Sequence, residues 1–128
     1  MKASNILLLL GVLSGTSVLA QEPVSGGHGL YKEYCASCHQ PDGGGVPMLQ
    51  PELIDKPRAN GSKGGVIDMI LYGSDAMAPN EGDYANEMPA FDHLSDLEIA
   101  KIATYVRTHF ENNGGLVTSD DVKLRRRK

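Results

Sequence analysis

Cys35-Ala36-Ser37-Cys38-His39 places two thiols three positions apart and an imidazole immediately after the second. Two sulfurs at that spacing on a helix end can each add to one vinyl group along a single edge of a porphyrin. The following histidine is then held beneath the ring with a nitrogen directed at the iron, which is the chemistry of covalent c-type haem attachment. Three other readings of the same residues differ in what they need. A redox dithiol would use the two cysteines alone but expects a βαβ context. A structural zinc site needs a fourth ligand and normally a paired histidine motif, whereas His93 and His109 are sixteen apart. A plain Cys35–Cys38 disulfide leaves the long irregular segment that follows without a purpose.

That segment is the next clue. Pro41 to Pro57 contains Gly43, Gly44, Gly45, Pro47 and Pro51, so it cannot be a regular helix or a central strand. A structureless stretch of this length in a small domain is usually functional, and here it would wrap a bound group. Three helices must position it. Gly26 to Cys38 reads as a first helix entering the loop, with Leu30, Tyr31 and Tyr34 on one face. Gly64-Gly65 opens a second, Val66 to Tyr72, closed by Gly73; its apolar run could equally be a buried strand, but no partner strand exists for it. Ser74 to Pro89 is a second loop. Asp96 to Phe110 carries the strongest helix signal: Ser95 and Glu98 form a capping box and Leu94 and Ile99 a hydrophobic staple. Ile99, Ile102, Ala103, Val106 and Phe110 follow as one apolar stripe. After Gly114-Gly115, Ser119 is positioned to cap a last helical turn before the basic end Lys123-Leu124-Arg125-Arg126-Arg127-Lys128. The expected fold class is therefore all-α.

Length and charge bound the rest. The chain has 128 residues and a formal charge of −4, from 12 Lys and Arg against 16 Asp and Glu, with 41% hydrophobic and 22% charged residues. This allows one globular domain and makes a nucleic-acid partner a poor fit. Residues 1–20 read as a cleaved signal peptide, with Lys2, the apolar run Ile6 to Leu13, and small Val18 and Ala20 before a cut ahead of Gln21. The run spans roughly 12 Å of helix against a bilayer core of about 30 Å, so retention as an anchor is the weaker alternative. A single domain over 21–128 remains, ending in a basic tail at about 116–128, and export makes the expected location periplasmic.

Together these residues resemble class I cytochromes c, the small single-haem His/Met electron carriers, over nearly all of Gly26 to Phe110. Gly27 and Tyr31 stand eight and four residues before the first cysteine, as in that family. The family's C-H-x-x-x-G-x-G is met at Gly43 and Gly45, and its Pro-x-Leu at Pro51-Glu52-Leu53. The resemblance implies three main helices around one covalently attached haem c, its iron held by His39 and by Met88 of Met88-Pro89-Ala90-Phe91. By the same resemblance the Pro51 carbonyl accepts from His39 Nδ1–H, Leu53 packs on the haem, and Ile102 and Tyr105 meet Gly27 and Tyr31 where the last helix crosses the first. There is no Trp to anchor a haem propionate, leaving Tyr72 and Arg58 as candidates. Met77-Ala78-Pro79 mimics the Met-Pro context, but Met88, only six residues before the staple residue Leu94, is the better-fixed sulfur.

The implied function is one-electron transfer between redox proteins, without enzymatic activity, because both axial positions are filled. One alternative is a cytochrome subunit of a membrane or quinone-linked dehydrogenase complex, whose ends the Val117 to Val122 extension resembles. Another is a haem enzyme or gas sensor with an open sixth site. His28, His93 and His109 read as surface residues, and Met48 and Met69 as core filler. Between Lys63 and Lys101 stand Asp68, Asp75, Glu81, Asp83, Glu87, Asp92, Asp96 and Glu98 with no Lys or Arg among them. They are either a solvated acidic surface or a negative rim that steers a partner with a basic docking face. The basic tail reads as a solvated end.

Overall fold

The computed structural model describes residues 26–78, 82 and 84–127. The expected signal segment, the start of the mature domain up to Ser25, and Glu81 and Asp83 lie outside the described residues. Among the described residues six α-helices follow one another: α1 (Gly27–Tyr34), α2 (Ala36–His39), α3 (Pro57–Asn60), α4 (Lys63–Tyr72), α5 (Asp96–Thr108) and α6 (Ser119–Arg125), with a 3-10 turn at Gly73–Ala76 after α4. Among the described residues the only extended pairing is an isolated bridge, Val46 with Gln50. The fold is all-α, with α1, α4 and α5 as its main helices.

The capping box read at the start of α5 is present: the Ser95 side chain accepts from Glu98 N–H at 3.3 Å while Glu98 Oε2 accepts from Ser95 N–H at 2.8 Å. Leu94 and Ile99 are both buried. The α5 stripe packs against α1 and α4, and Tyr31, Ile67, Leu71, Ile99 and Ile102 are the largest side chains fully enclosed there, with Val122 joining them from α6.

α1 crosses α5 at Gly27. A β-carbon at Gly27 would stand 2.6 Å from the Lys101 carbonyl oxygen and 3.0 Å from Tyr105 Cβ, so only glycine allows the two backbones this close. Tyr31 then meets Tyr105 with ring centroids 5.3 Å apart and Phe110 at 5.1 Å, and its hydroxyl donates to the Gln40 carbonyl at 2.6 Å. Tyr105 thus meets both Gly27 and Tyr31 as expected, while Lys101 supplies the second contact on Gly27 and Ile102 faces the cavity described below.

Several boundaries differ from the sequence reading. The first helix breaks at Cys35, and the second begins at Lys63 rather than Val66. Pro57 starts a four-residue helix because its fixed φ suits the first helical position. α5 stops at Thr108, two residues before Phe110, which takes a left-handed φ of 54° and reverses the chain. Met48 is not core filler: it sits at the Val46–Gln50 turn with φ 63° and is 77% exposed.

The C-terminal end is not a solvated tail. The cap of α6 is Thr118, not Ser119, paired in a second capping box with Asp121. Lys63 donates to Asp121 at 2.7 Å, Arg125 forks onto Asp68 of α4, and Arg126 reaches Asp96 at 2.6 Å. The Arg127 guanidinium lies 4.1 Å from the Tyr72 ring centroid. Two buried polar side chains tie the remaining segments together. Asn112 donates to the carbonyls of Leu53 and Val106 and accepts from Lys56 N–H. Arg107, 3% exposed, donates to the carbonyls of Gly61, Gly114 and Gly115.

Candidate haem site

A cavity of about 780 Å³ opens between the loop after α2, α4, the loop before α5, and α5 itself. Its size is within the ordinary range for ligand pockets, and its walls are mainly apolar. Both cysteines and His39 form one side, and Pro51 and Leu53 lie on the same loop wall. Met69 and Ile70 of α4, Met77, Met88 and Phe91 of the following loop, and Ile102 and Val106 of α5 line the cavity as well.

His39 is 9% exposed, and its Nδ1 lies 2.9 Å from the Pro51 carbonyl oxygen. A carbonyl can only accept, so Nδ1 carries the proton and Nε2 keeps its lone pair for a metal. Burial pulls the imidazole pKa down, with the Pro51 bond opposing it, which favours the neutral ring a metal requires. The Pro51 carbonyl is held in place by the loop behind it. Gly45 has φ 62°, and a β-carbon there would lie 2.6 Å from Pro51 O and from Gln50 O. Gly45 N–H also donates to the His39 carbonyl at 2.9 Å. Only glycine serves a left-handed turn packed this tightly. Leu53 is fixed by its N–H to Gly43 O at 2.7 Å and by Asn112 on its carbonyl.

Cys35 is buried and Cys38 exposed. Burial, with the neighbouring Cys38 adding, pushes the Cys35 thiol up to about 12. A redox dithiol needs a thiolate near neutral pH, so this environment suits a sulfur held as a thiol or thioether. Among the described residues no group of three or more His, Cys, Asp or Glu side chains is placed to hold a metal ion. The donor set and the cavity fit a planar group attached along the cysteine edge, with one imidazole below it.

Three methionines, Met69, Met77 and Met88, are among the lining side chains. Sequence reading had assigned Met69 to core filling; it is half-buried and lines the cavity. Of the two loop methionines, Met88 has its backbone fastened on both sides: its N–H donates to Ser74 Oγ at 2.8 Å and its carbonyl accepts from Ser74 N–H at 3.0 Å. Three residues later Phe91 N–H donates to Ile70 O at 2.9 Å. Met77 has one such tie, to Ser74 O at 3.0 Å.

The two propionate candidates separate. Arg58 lines the cavity. Tyr72 does not; its hydroxyl donates to the Arg125 carbonyl at 2.9 Å and accepts from Arg127 N–H at 2.6 Å, so it serves the C-terminal end. His28, His93 and His109 are exposed, and His109 stacks on Tyr105 at 4.0 Å. Of the acidic run, Asp68 and Asp96 are paired with tail arginines and Glu98 is spent in the α5 cap. Asp75, Glu87 and Asp92 remain exposed, and Glu87 lines the cavity. Neither Asn112 nor Arg107 had been anticipated; Gly114-Gly115, which supplies two of the Arg107 acceptors, was read only as a helix terminator.

Residues 22–106 match the family described as cytochrome C oxidase, cbb3-type, subunit III. The chain is 38% identical over 105 residues to the fructose dehydrogenase cytochrome subunit of Gluconobacter japonicus. It is 33% identical over 100 residues to the cytochrome c subunit of the quinone alcohol dehydrogenase of Gluconobacter oxydans. These matches cover about three-quarters of this chain but only 21% of either relative, so the chain spans about a fifth of their length. A match of 32% over 106 residues to cytochrome c-552 of Thermus thermophilus covers 79% of this chain and 69% of that protein. With the C-x-x-C-H run lining the cavity and a family match over residues 22–106, the chain belongs to the cytochrome c family, whose cofactor is covalently bound haem c.

Proposed function

We propose that this protein is an exported one-electron carrier of the periplasm. In this reading Cys35 and Cys38 hold the haem through thioethers, and His39 and Met88 ligate its iron. The observation that carries it is the placement of both cysteines and His39 on one wall of one apolar cavity, with the Pro51 carbonyl fixing the His39 tautomer. The bound haem supplies reversible exchange of a single electron between ferrous and ferric iron. His39 contributes a neutral imidazole made more basic by its bond to Pro51. Met88 contributes a thioether, which together with burial favours the reduced state over bis-His ligation. Leu53, Phe91, Ile102 and Val106 keep water from the ring, and Arg58 is the side chain assigned to a propionate. With both axial ligands supplied by the chain, no position is left for a substrate, and no residue is assigned a catalytic role. Asp75, Glu87 and Asp92 form the rim that meets a basic face on a redox partner.

The test is direct. Protein made with a haem-attachment system keeps its colour through denaturation and acid–acetone extraction; haem passing wholly into the extract overturns the assignment. A reduced protein that does not bind CO supports a filled sixth site, and ready CO binding supports the open-site alternative. The names of the relatives favour a second reading, a cytochrome subunit of a membrane or quinone-linked dehydrogenase complex. Co-purification of a dehydrogenase with the tagged protein from its native membrane supports that reading, and its absence supports a free shuttle.

A further inference from the structure

Arg126 is the residue whose side chain closes over the segment between Met88 and α5. Its Nε donates to Asp96 Oδ1 at 2.6 Å, Nη1 to the Asp92 carbonyl at 2.7 Å, and Nη2 to the Leu94 carbonyl at 2.5 Å. One planar guanidinium thus spans three acceptors across five consecutive residues, a geometry lysine cannot reproduce. The two carbonyls belong to the stretch just before α5 that no helix of its own holds. Upstream, Met88 is pinned by Ser74 and Phe91 by Ile70. Gly73 permits that pinning, since a β-carbon there would stand 2.1 Å from the Met88 carbonyl oxygen. The loop carrying Met88 is therefore fastened at one end to the α4 side and at the other to the C-terminal segment.

We propose that Arg126 is a positioning residue for the sixth iron ligand: by locking Asp92, Leu94 and Asp96 to the end of α6 it keeps the Met88 loop closed and the sulfur on the iron. This rests on the reading of Met88 as the axial ligand. A loop that opens releases the thioether, and an added ligand then takes its place. The apparent affinity of that ligand is its intrinsic affinity multiplied by the fraction of protein that is open. Hydrogen bonds from a charged donor are the stronger kind, but the Arg126 and Asp96 side chains are each 30% exposed and solvent screens much of that strength, so losing all three shifts this fraction by at least about tenfold.

The probe is imidazole titrated into the ferric holoprotein, followed by loss of the weak red Met–Fe(III) band, in wild type, Arg126→Gln, Arg125→Gln and Met88→Ala. Arg125 is the matched control: it also joins the tail to the body, but through Asp68 on α4, away from the Met88 loop. Arg126→Gln is expected to raise apparent imidazole affinity about tenfold, with Arg125→Gln within about twofold of wild type. Guanidinium unfolding of the same proteins separates loop opening from global loss of stability. Equal affinities in wild type and Arg126→Gln overturn the proposal, as does an equal rise in Arg125→Gln. A red band that survives Met88→Ala overturns the ligand reading itself, an outcome distinct from either.

Discussion

Alanine at Gly27 and alanine at Gly29 are the same chemical change two positions apart in α1, and the structure assigns them opposite signs. At Gly27 the new methyl group arrives 2.6 Å from the Lys101 carbonyl oxygen and 3.0 Å from Tyr105 Cβ. The first of these is helix backbone and cannot swing aside. Restoring an ordinary contact of 3.4 Å requires α1 and α5 to part by up to about 0.8 Å. A gap of that size forfeits roughly a quarter to a half of the dispersion energy of each contact along the crossing. Overpacking of this kind costs about 1–3 kcal/mol. The helical preference of alanine over glycine, about 1 kcal/mol in a helix interior, offsets little of it at the first position of a helix. At Gly29 nothing lies within 4 Å of the new carbon, so the preference acts alone and stabilises by up to about 1 kcal/mol. The two variants should therefore melt on either side of wild type, separated by on the order of 10 °C for a domain of this size. Thermal and guanidinium unfolding of the ferric holoprotein, followed by far-ultraviolet circular dichroism, reads the difference. A Gly27→Ala protein as stable as wild type, or shifts of the same sign in both variants, would refute the close-crossing argument.

Met88→Ala should abolish the red charge-transfer band, lower the reduction potential and admit CO, whereas Met77→Ala should leave all three nearly unchanged; the reverse pattern moves the ligand to Met77. Electron transfer to a basic partner should slow as salt rises from 0.01 to 0.1 M, over which the Debye length falls from about 30 Å to about 10 Å. A rate that stays flat or rises with salt counts against the acidic rim. The Lys63 ammonium, with Thr118 N–H second, holds the Asp121 carboxyl below its ordinary value, so its contribution to stability is present above roughly pH 4 and lost as pH falls through the depressed folded-state value. The stability gap between wild type and Asp121→Asn at pH 7 should close in acid, and a gap that persists unchanged at about pH 2 contradicts the pairing.

What the sequence disclosed and what it withheld divide along physical lines. α5 was legible because its signals are local: Ser95 and Glu98 are three residues apart, and the stripe from Ile99 to Val106 repeats at helical spacing. The cysteine–histidine run was legible for a similar reason, its fixed short spacing, whereas Pro51 was legible only through the family resemblance. α6 was read one residue late because its box uses Asp121, a shorter acid than the usual Glu or Gln, behind Thr118. The tail was misread because its partners, Asp68 and Asp96, lie 57 and 30 residues away, and charge counting along a chain cannot pair them. Tyr72, one of the two propionate candidates, bonds instead to Arg125 and Arg127, partners equally distant in the chain. Asn112 and Arg107 carried no signal beyond their type; their partners are backbone carbonyls, which every residue possesses.

Arg107 has a consequence of its own. Its guanidinium sits inside the protein and donates to carbonyl oxygens from Gly61, Gly114 and Gly115, with the Asp121 charge near enough to act on it. Oxygen dipoles converging on a positive charge are how a structural calcium or sodium ion is held. Here the cation arrives already bonded to α5, so the segment after α3 and the turn before α6 are cross-linked without an ion being captured from the medium. The junction is therefore indifferent to chelators and to the supply of divalent metal, and it cannot be emptied by dilution.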